Sequence, residues 1–240
     1  MKENITLLMY SHSSYSDVWN PFFKQAEKYM PDYKKVLFSD DDLNKTPKDW
    51  SFIQYKDEDS YSDRMYKCLE NIQTELCFLH HEDMFLYDSP DHDLLNKYQD
   101  IVLNTDIDFI RLLRSTDAPS FNYKNNHTLY PVPNHSMYFF SVQPTICKTK
   151  SLLEIYKNTK VSHIREFEPK VQKVCRDLGI KGLFHYDSEP KIGDHHYDSK
   201  VYPYIATAIV KGKWNIVGYP EQLSRILLEN NIDVNIRGKI

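Results

Sequence analysis

Glycine is scarce: six residues in 240. Neither GxGxxG nor GxxxxGK(S/T) occurs, which excludes a Gly-rich phosphate loop. Cysteine is sparse as well. Cys68, Cys77, Cys147 and Cys175 are far apart and form no CxxC. Their mostly apolar or amphipathic settings predict buried free thiols in a reducing compartment. Charge of one sign is also lacking. The net charge is −4, with acids and bases mixed along the chain, so the basic stripe of a nucleic-acid binder is absent. No apolar run has the length of a membrane span, and the start lacks the charged-then-apolar pattern of a signal peptide. These absences lead us to expect a soluble, cytoplasmic protein. The length suits one large domain with a substantial core.

The most informative stretch is Glu75 to Asp88, ELCFLHHEDMFLYD. Leu76 to Leu79 has the continuous apolar character of a buried strand. It stops at His80, His81, Glu82 and Asp83, and apolar residues resume at Met84 to Tyr87. Adjacent carboxylates between apolar runs are costly unless paired. A strand that ends at a cleft mouth, where a cation or polar ligand meets the acids, removes that cost. Ligands bind at the carboxyl ends of strands in open α/β sheets. A polar strand end capping a neighbouring helix is the alternative.

The chain alternates strand-like and helix-like segments. Ile5 to Tyr10 reads as a strand, followed by a polar loop from Ser11 to Tyr15. Asn20-Pro21 reads as a helix start, with Phe22, Phe23, Ala26, Tyr29 and Met30 at helical spacing. Val36 to Phe38 is a second strand, running into Asp40, Asp41 and Asp42, which can cap a turn or receive a ribose or base. Ser51 to Lys56 is a third. Ser60 and Asp63 form a capping box before a helix carrying Arg64 just off its buried face. Asp91 to Asn104 reads as a helix and Asp106 to Arg114 as a strand. Residues 115 to 134 form a long surface loop, and Ser136 to Val142 reads as a strand. Lys150 to Asn158 is a short helix. Pro169 in a first turn puts Glu168 at or near an N-cap. Leu183 to Tyr186 reads as a strand, and 187 to 200 as a polar loop. Val201 to Val210 fits either a strand or a short helix. Lys211 to Trp214 is a turn, and Pro220 to Asn230 is the last helix. The alternation predicts an α/β domain with a mostly parallel central sheet flanked by helices.

The order of a first strand, a polar loop, an acidic second-strand end, a helix bearing Arg64 and a strand ending in Glu82-Asp83 resembles the small nucleotide-sugar glycosyltransferases of the GT-A fold. The stretches VYPYIATAIVKGKWN at 201 to 215 and YPEQLSRILLENNIDVNIRGK at 219 to 239 are similar to the closing segments of compact glycosyltransferases from bacterial surface-polysaccharide and large-virus glycan clusters. The resemblance implies a single GT-A-like domain over 1 to 240. Its nucleotide-binding half would cover about 1 to 115, and its acceptor-side half about 116 to 240. It implies hexosyl or deoxyhexosyl transfer from a nucleotide-sugar donor to a glycan or other hydroxyl acceptor. Glu82-Asp83 stands where that superfamily carries Asp-x-Asp, although the run here is His81-Glu82-Asp83.

On that resemblance a divalent cation, Mn2+ or Mg2+, would be held by Asp83, with Glu82 supporting the metal or the ribose. A hard cation stabilises the charge growing on the leaving diphosphate. A further ligand would come from His195, His196 or Asp198, with His196 preferred; a solvated polar loop is the alternative. Ser11, His12, Asp40 and Arg64 would line the donor pocket. Glu166 or Glu168 would take the acceptor's proton in an inverting enzyme, unless both are acids favoured by a helix N-terminus. Trp214 and the tyrosines near 202 could stack on an acceptor sugar. Two other functions use the same residues. One is a metal-dependent phosphoester hydrolase using Asp83 and the late histidines. The other is a non-catalytic nucleotide- or sugar-binding module.

Overall fold

The computed structural model describes residues 2–192 and 196–240. In chain order it contains β1 (Lys2–Tyr10), α1 (Ser16–Tyr29), β2 (Tyr33–Ser39), β3 (Trp50–Gln54), α2 (Tyr61–Leu69), β4 (Leu76–His81) and α3 (His92–Asn104). There follow β5 (Phe109–Arg111), β6 (Leu129–Pro131), β7 (Thr145–Lys148), α4 (Thr149–Asn158), α5 (Ile164–Asp177) and β8 (Gly182–His185). The chain closes with β9 (Lys191–Ile192), β10 (His196–Tyr197), β11 (Ile209–Val210), β12 (Lys213–Trp214), α6 (Pro220–Glu229) and α7 (Val234–Arg237).

The fold is an α/β domain around an eight-stranded sheet of order β3-β2-β1-β4-β7-β5-β8-β6. β3, β2, β1 and β4 run parallel. β7 is antiparallel to both β4 and β5. β1 and β4 are neighbours with Tyr10 opposite His81. Their interior residues, Leu7 to Met9 and Leu76 to Leu79, are fully buried, as expected of parallel strands covered on both faces. From β1 the chain steps outward to β2 and β3, then returns to place β4 on the other side of β1. The connections that follow β1 and β4 therefore diverge, and this reversal opens a crevice at their carboxyl ends.

Several local expectations are corrected. α1 begins at Ser16, not at Asn20-Pro21, and Pro21 lies inside it. Its start is set by a tertiary contact: Asp40 accepts from Ser13 N and Ser13 Oγ, fixing a short 3-10 turn ahead of the helix. α5 likewise begins at Ile164, so Glu168 is inside the helix and Pro169 follows it there. Phe167 is buried against Tyr61, Tyr156 and Phe140, and that packing draws the preceding turn into the helix. Residues 136–142 are turns, and the strand is Thr145–Lys148. Phe139 and Phe140 pack edge-on against Phe109. The Gln172 side chain accepts from Phe140 N and donates to Phe140 O, taking the place of a strand partner. β5 is shorter than the strand read over 106 to 114. The 115 to 134 loop carries β6, an edge strand that pairs antiparallel with β8. The Ser60–Asp63 box forms, with Asp63 N donating to Ser60 Oγ at 3.2 Å. All four cysteines are buried and free. Among the described residues no helix is long and apolar enough to cross a membrane.

Candidate active site

Glu82 and Asp83 follow directly from the end of β4. A turn closes behind them, with Met84 N donating to His81 O at 3.1 Å. The apolar run beyond anchors the turn: Met84, Phe85 and Leu86 are buried, and Ile205 N donates to Phe85 O. Asp83 is tied to the late segment, its Oδ2 accepting from Ile209 N at 3.2 Å and its carbonyl from Ala208 N at 3.1 Å. Burial raises the pKa of both carboxyl groups, and the charge of Asp83 raises Glu82 further. Ser11 and Arg237 pull Glu82 the other way without cancelling the effect. The pair is thus short of positive charge.

Glu82 forms part of the wall of a cleft of about 940 Å³, together with Tyr10, His12, Tyr15, Asp57, Arg64, His81 and Glu166. Arg64 is brought here by α2. Its Nη2 pairs with Asp57 Oδ1 at 2.7 Å, its Nε donates to Asp59 O, and its guanidinium lies over Tyr55. His12 Nε2 approaches the same Asp57 carboxylate oxygen at 3.2 Å. One exposed acid therefore bridges two basic side chains. His81 is buried, and burial pushes its pKa down to about 3, so the ring is neutral. Among the described residues its Nε2 has no hydrogen-bond partner. His80 has a structural role instead, its Nε2 lying 2.7 Å from the Tyr202 hydroxyl in the core.

The remaining expected residues divide by location. Ser11 is buried; its Oγ accepts from Trp19 Nε1 and its carbonyl from Tyr55 OH. Asp40 builds the loop after β1: partial burial opposes its ionisation, but the Ser13 hydrogen bonds outweigh that and lower its pKa. Glu166 lines the cleft and pairs with Lys170 at 2.8 Å. Glu168, two residues on, lines a different cavity of about 760 Å³, and His196 lines that cavity too. Asp198 accepts from the Tyr87 hydroxyl, and His195 lies outside the described residues. Trp214 and Tyr202 are wholly buried. They are core residues and not a platform for a sugar, because tertiary packing claims apolar area that a sequence can only count.

Among the described residues no group of three or more His, Cys, Asp or Glu side chains could hold a metal by itself. Two adjacent carboxylates still suit a hard cation that takes its other ligands from phosphate and water. Sequence reasoning missed Asp57, Tyr10 and Tyr15 as cleft partners of Glu82, and Arg237 as a charge near it. Tyr10 had a signal, since it occupies the last position of a buried strand.

No protein-family profile and no curated protein sequence matches the chain. Solved structures similar in fold include the following three. Bifunctional IspDF from Campylobacter jejuni has a TM-score of 0.48 at 16% identity, covering 78% of this chain and 50% of that one. S. aureus TarS 1-349 has a TM-score of 0.48 at 12% identity, covering 98% and 68%. A CMP:2-keto-3-deoxy-manno-octonic acid synthetase complexed with CTP has a TM-score of 0.48 at 12% identity, covering 75% and 88%. This chain spans half the length of the bifunctional protein.

Proposed function

We propose that this protein is a glycosyltransferase that moves a hexosyl or deoxyhexosyl group from a nucleotide-sugar to a glycan or other hydroxyl acceptor. One observation carries the reading. At the carboxyl ends of parallel strands, a cleft brings Glu82, the cleft-facing member of the acidic pair, together with Arg64 and His12, both engaged by a single exposed acid. A nucleoside diphosphate fits this arrangement. Its phosphate oxygens can replace Asp57 on Arg64 and His12 through charge-assisted hydrogen bonds. The neutral ring of His81 is suited to a ribose or sugar hydroxyl. Glu82 and Asp83 would hold a divalent cation, Mn2+ or Mg2+, which supplies charge neutralisation to the departing diphosphate.

In an inverting transfer the acceptor oxygen bonds to the sugar C1 while a carboxylate takes its proton. The C1–O bond to the diphosphate breaks, and its electron pair leaves with the nucleotide. Glu166 and Glu168 are the acids available for the proton. Arg64 meets the growing negative charge.

A panel of nucleotide-sugars and nucleoside diphosphates, read by thermal shift with and without Mn2+ and by product analysis, tests the proposal. Stabilisation by one nucleotide plus metal, with release of the nucleoside diphosphate on transfer, is expected. Phosphoester hydrolysis without transfer would identify a hydrolase. Binding without turnover would identify a binding module. Release of pyrophosphate would mean nucleotidyl transfer and would overturn the glycosyl reading.

A further inference from the structure

The second cavity, about 760 Å³, is lined by Leu113, Ser115 and residues between 138 and 219, and uses none of the residues that line the donor cleft. The acidic pair connects the walls of the two cavities. Glu82 lines the first, while Asp83 is bonded to Ala208 and Ile209, and the flanking Thr207 and Val210 line the second. We propose that this cavity binds the acceptor as a neutral sugar, with Glu168, not Glu166, as the carboxylate that meets its hydroxyl. This rests on the donor reading for its role in transfer, though not for binding.

The wall chemistry points to that class. Ser115, Ser141, Gln143 and Asn215 supply neutral hydroxyl and amide groups, and Tyr138 and Tyr219 supply aromatic surface. Ser115 is buried, and among the described residues its Oγ has no hydrogen-bond partner. A buried hydroxyl without a partner is costly unless a ligand or water completes it. Among the described residues the lining carries Glu168 and Lys191, one of each sign, and the imidazole of His196. Beneath the wall Arg111 is balanced by Asp117 at 3.6 Å and donates to Tyr138 O and Ser141 Oγ. Among the described residues no cluster of Lys or Arg side chains lines the cavity to await a phosphate or uronate. Glu168 uses Oε1 to accept from Val142 N at 2.8 Å, which orients the carboxylate and leaves Oε2 for a ligand. Glu166, by contrast, is held by Lys170 beside the donor cleft.

The test is amide chemical-shift mapping on the whole chain with neutral methyl hexosides, with methyl glucuronide, and separately with UDP, GDP and CMP. Neutral hexosides are expected to shift Ser141, Asn215 and Gly218, and the glucuronide to bind more weakly. Glu168→Gln is expected to weaken hexoside binding about tenfold, the scale of one lost charge-assisted hydrogen bond. Asn215→Ala gives a second, independent variant, and an unchanged spectrum elsewhere confirms the fold of each. The proposal is overturned if no neutral hexoside shifts these amides, if the glucuronide binds as well, or if the shifts fall at Ser60 and Arg64. The nucleotide arm reads the donor cleft on those last two residues. Its failure would remove the donor reading and leave the hexoside arm to decide this one.

Discussion

Asp83→Asn separates what the acidic pair does for function from what it does to stability. Asparagine keeps the volume and an oxygen that can accept from Ile209 N, and it removes the charge. Both carboxyls have folded pKa values above their ordinary range, chiefly through burial and, for Glu82, also through Asp83. An acid with a raised folded pKa holds its proton more tightly in the folded state. The stability linked to it is fully present below the unfolded pKa and is lost as pH rises through the folded pKa. The window therefore runs from the ordinary carboxylate range toward neutrality. Each unit of displacement is about 1.4 kcal/mol, so the variant should be more stable than the parent by about 1–3 kcal/mol at pH 8. That gain should shrink in mild acid. Urea unfolding in EDTA at the two pH values measures it. The functional effect runs the other way. Loss of a stabiliser of leaving-group charge commonly costs about a hundredfold or more in rate, and the variant should lose the stabilisation that Mn2+ plus donor nucleotide confers on the parent. Glu82→Gln should cost less activity if it supports only the metal or the ribose. A variant no more stable than the parent at pH 8 would refute the electrostatic argument. Unchanged Mn2+ dependence would remove Asp83 from the cation site.

Arg64→Ala should weaken nucleoside diphosphate binding by about ten- to a hundredfold in calorimetry, since hydrogen bonds to charged groups are worth about 1.5–3 kcal/mol. Asp57→Asn should strengthen it several-fold by releasing Arg64 and His12; weaker binding would show that Asp57 does not compete with phosphate. Gly182→Ala should destabilise the domain by about 2 kcal/mol or more, because a Cβ there would lie 2.0 Å from Phe109 Cζ. Combining it with Phe109→Leu should restore part of that loss, and strict additivity in urea midpoints would count against the clash. Glu189→Gln breaks a buried contact, with His185 Nε2 at 2.8 Å from Glu189 Oε1 and the Tyr98 hydroxyl on the other ring nitrogen. It should cost about 3 kcal/mol. Burial opposes ionisation of Glu189, but its hydrogen bonds hold its pKa at about 2, so its stability is present above the ordinary value of 4.5 and lost as pH falls through 2. The variant's acid-unfolding curve should be flatter over that interval.

The sequence alone determined the elements that rest on near-neighbour chemistry. Continuous apolar runs marked β1 and β4, a Ser-x-x-Asp box marked the start of α2, and periodicity marked α3 and α6. The abrupt change from Leu79 to Glu82-Asp83 marked the strand end around which the cleft forms. These features were legible because burial along a strand or helix face repeats with the period of the backbone itself. Tertiary structure alone decided the starts of α1 and α5, where Asp40 and Phe167 overrode the prolines. It also decided the fate of 136–142, whose backbone is satisfied by Gln172 from a distant helix. It sent Glu166 and Glu168 to different cavities although they are two residues apart in one helix, because positions i and i+2 face different directions around a helix. It buried Trp214 and Tyr202 in the core, and it brought Asp57, His12 and Arg64 together. Such contacts join residues far apart in sequence. Their energies depend on which surfaces meet, and no local pattern encodes that.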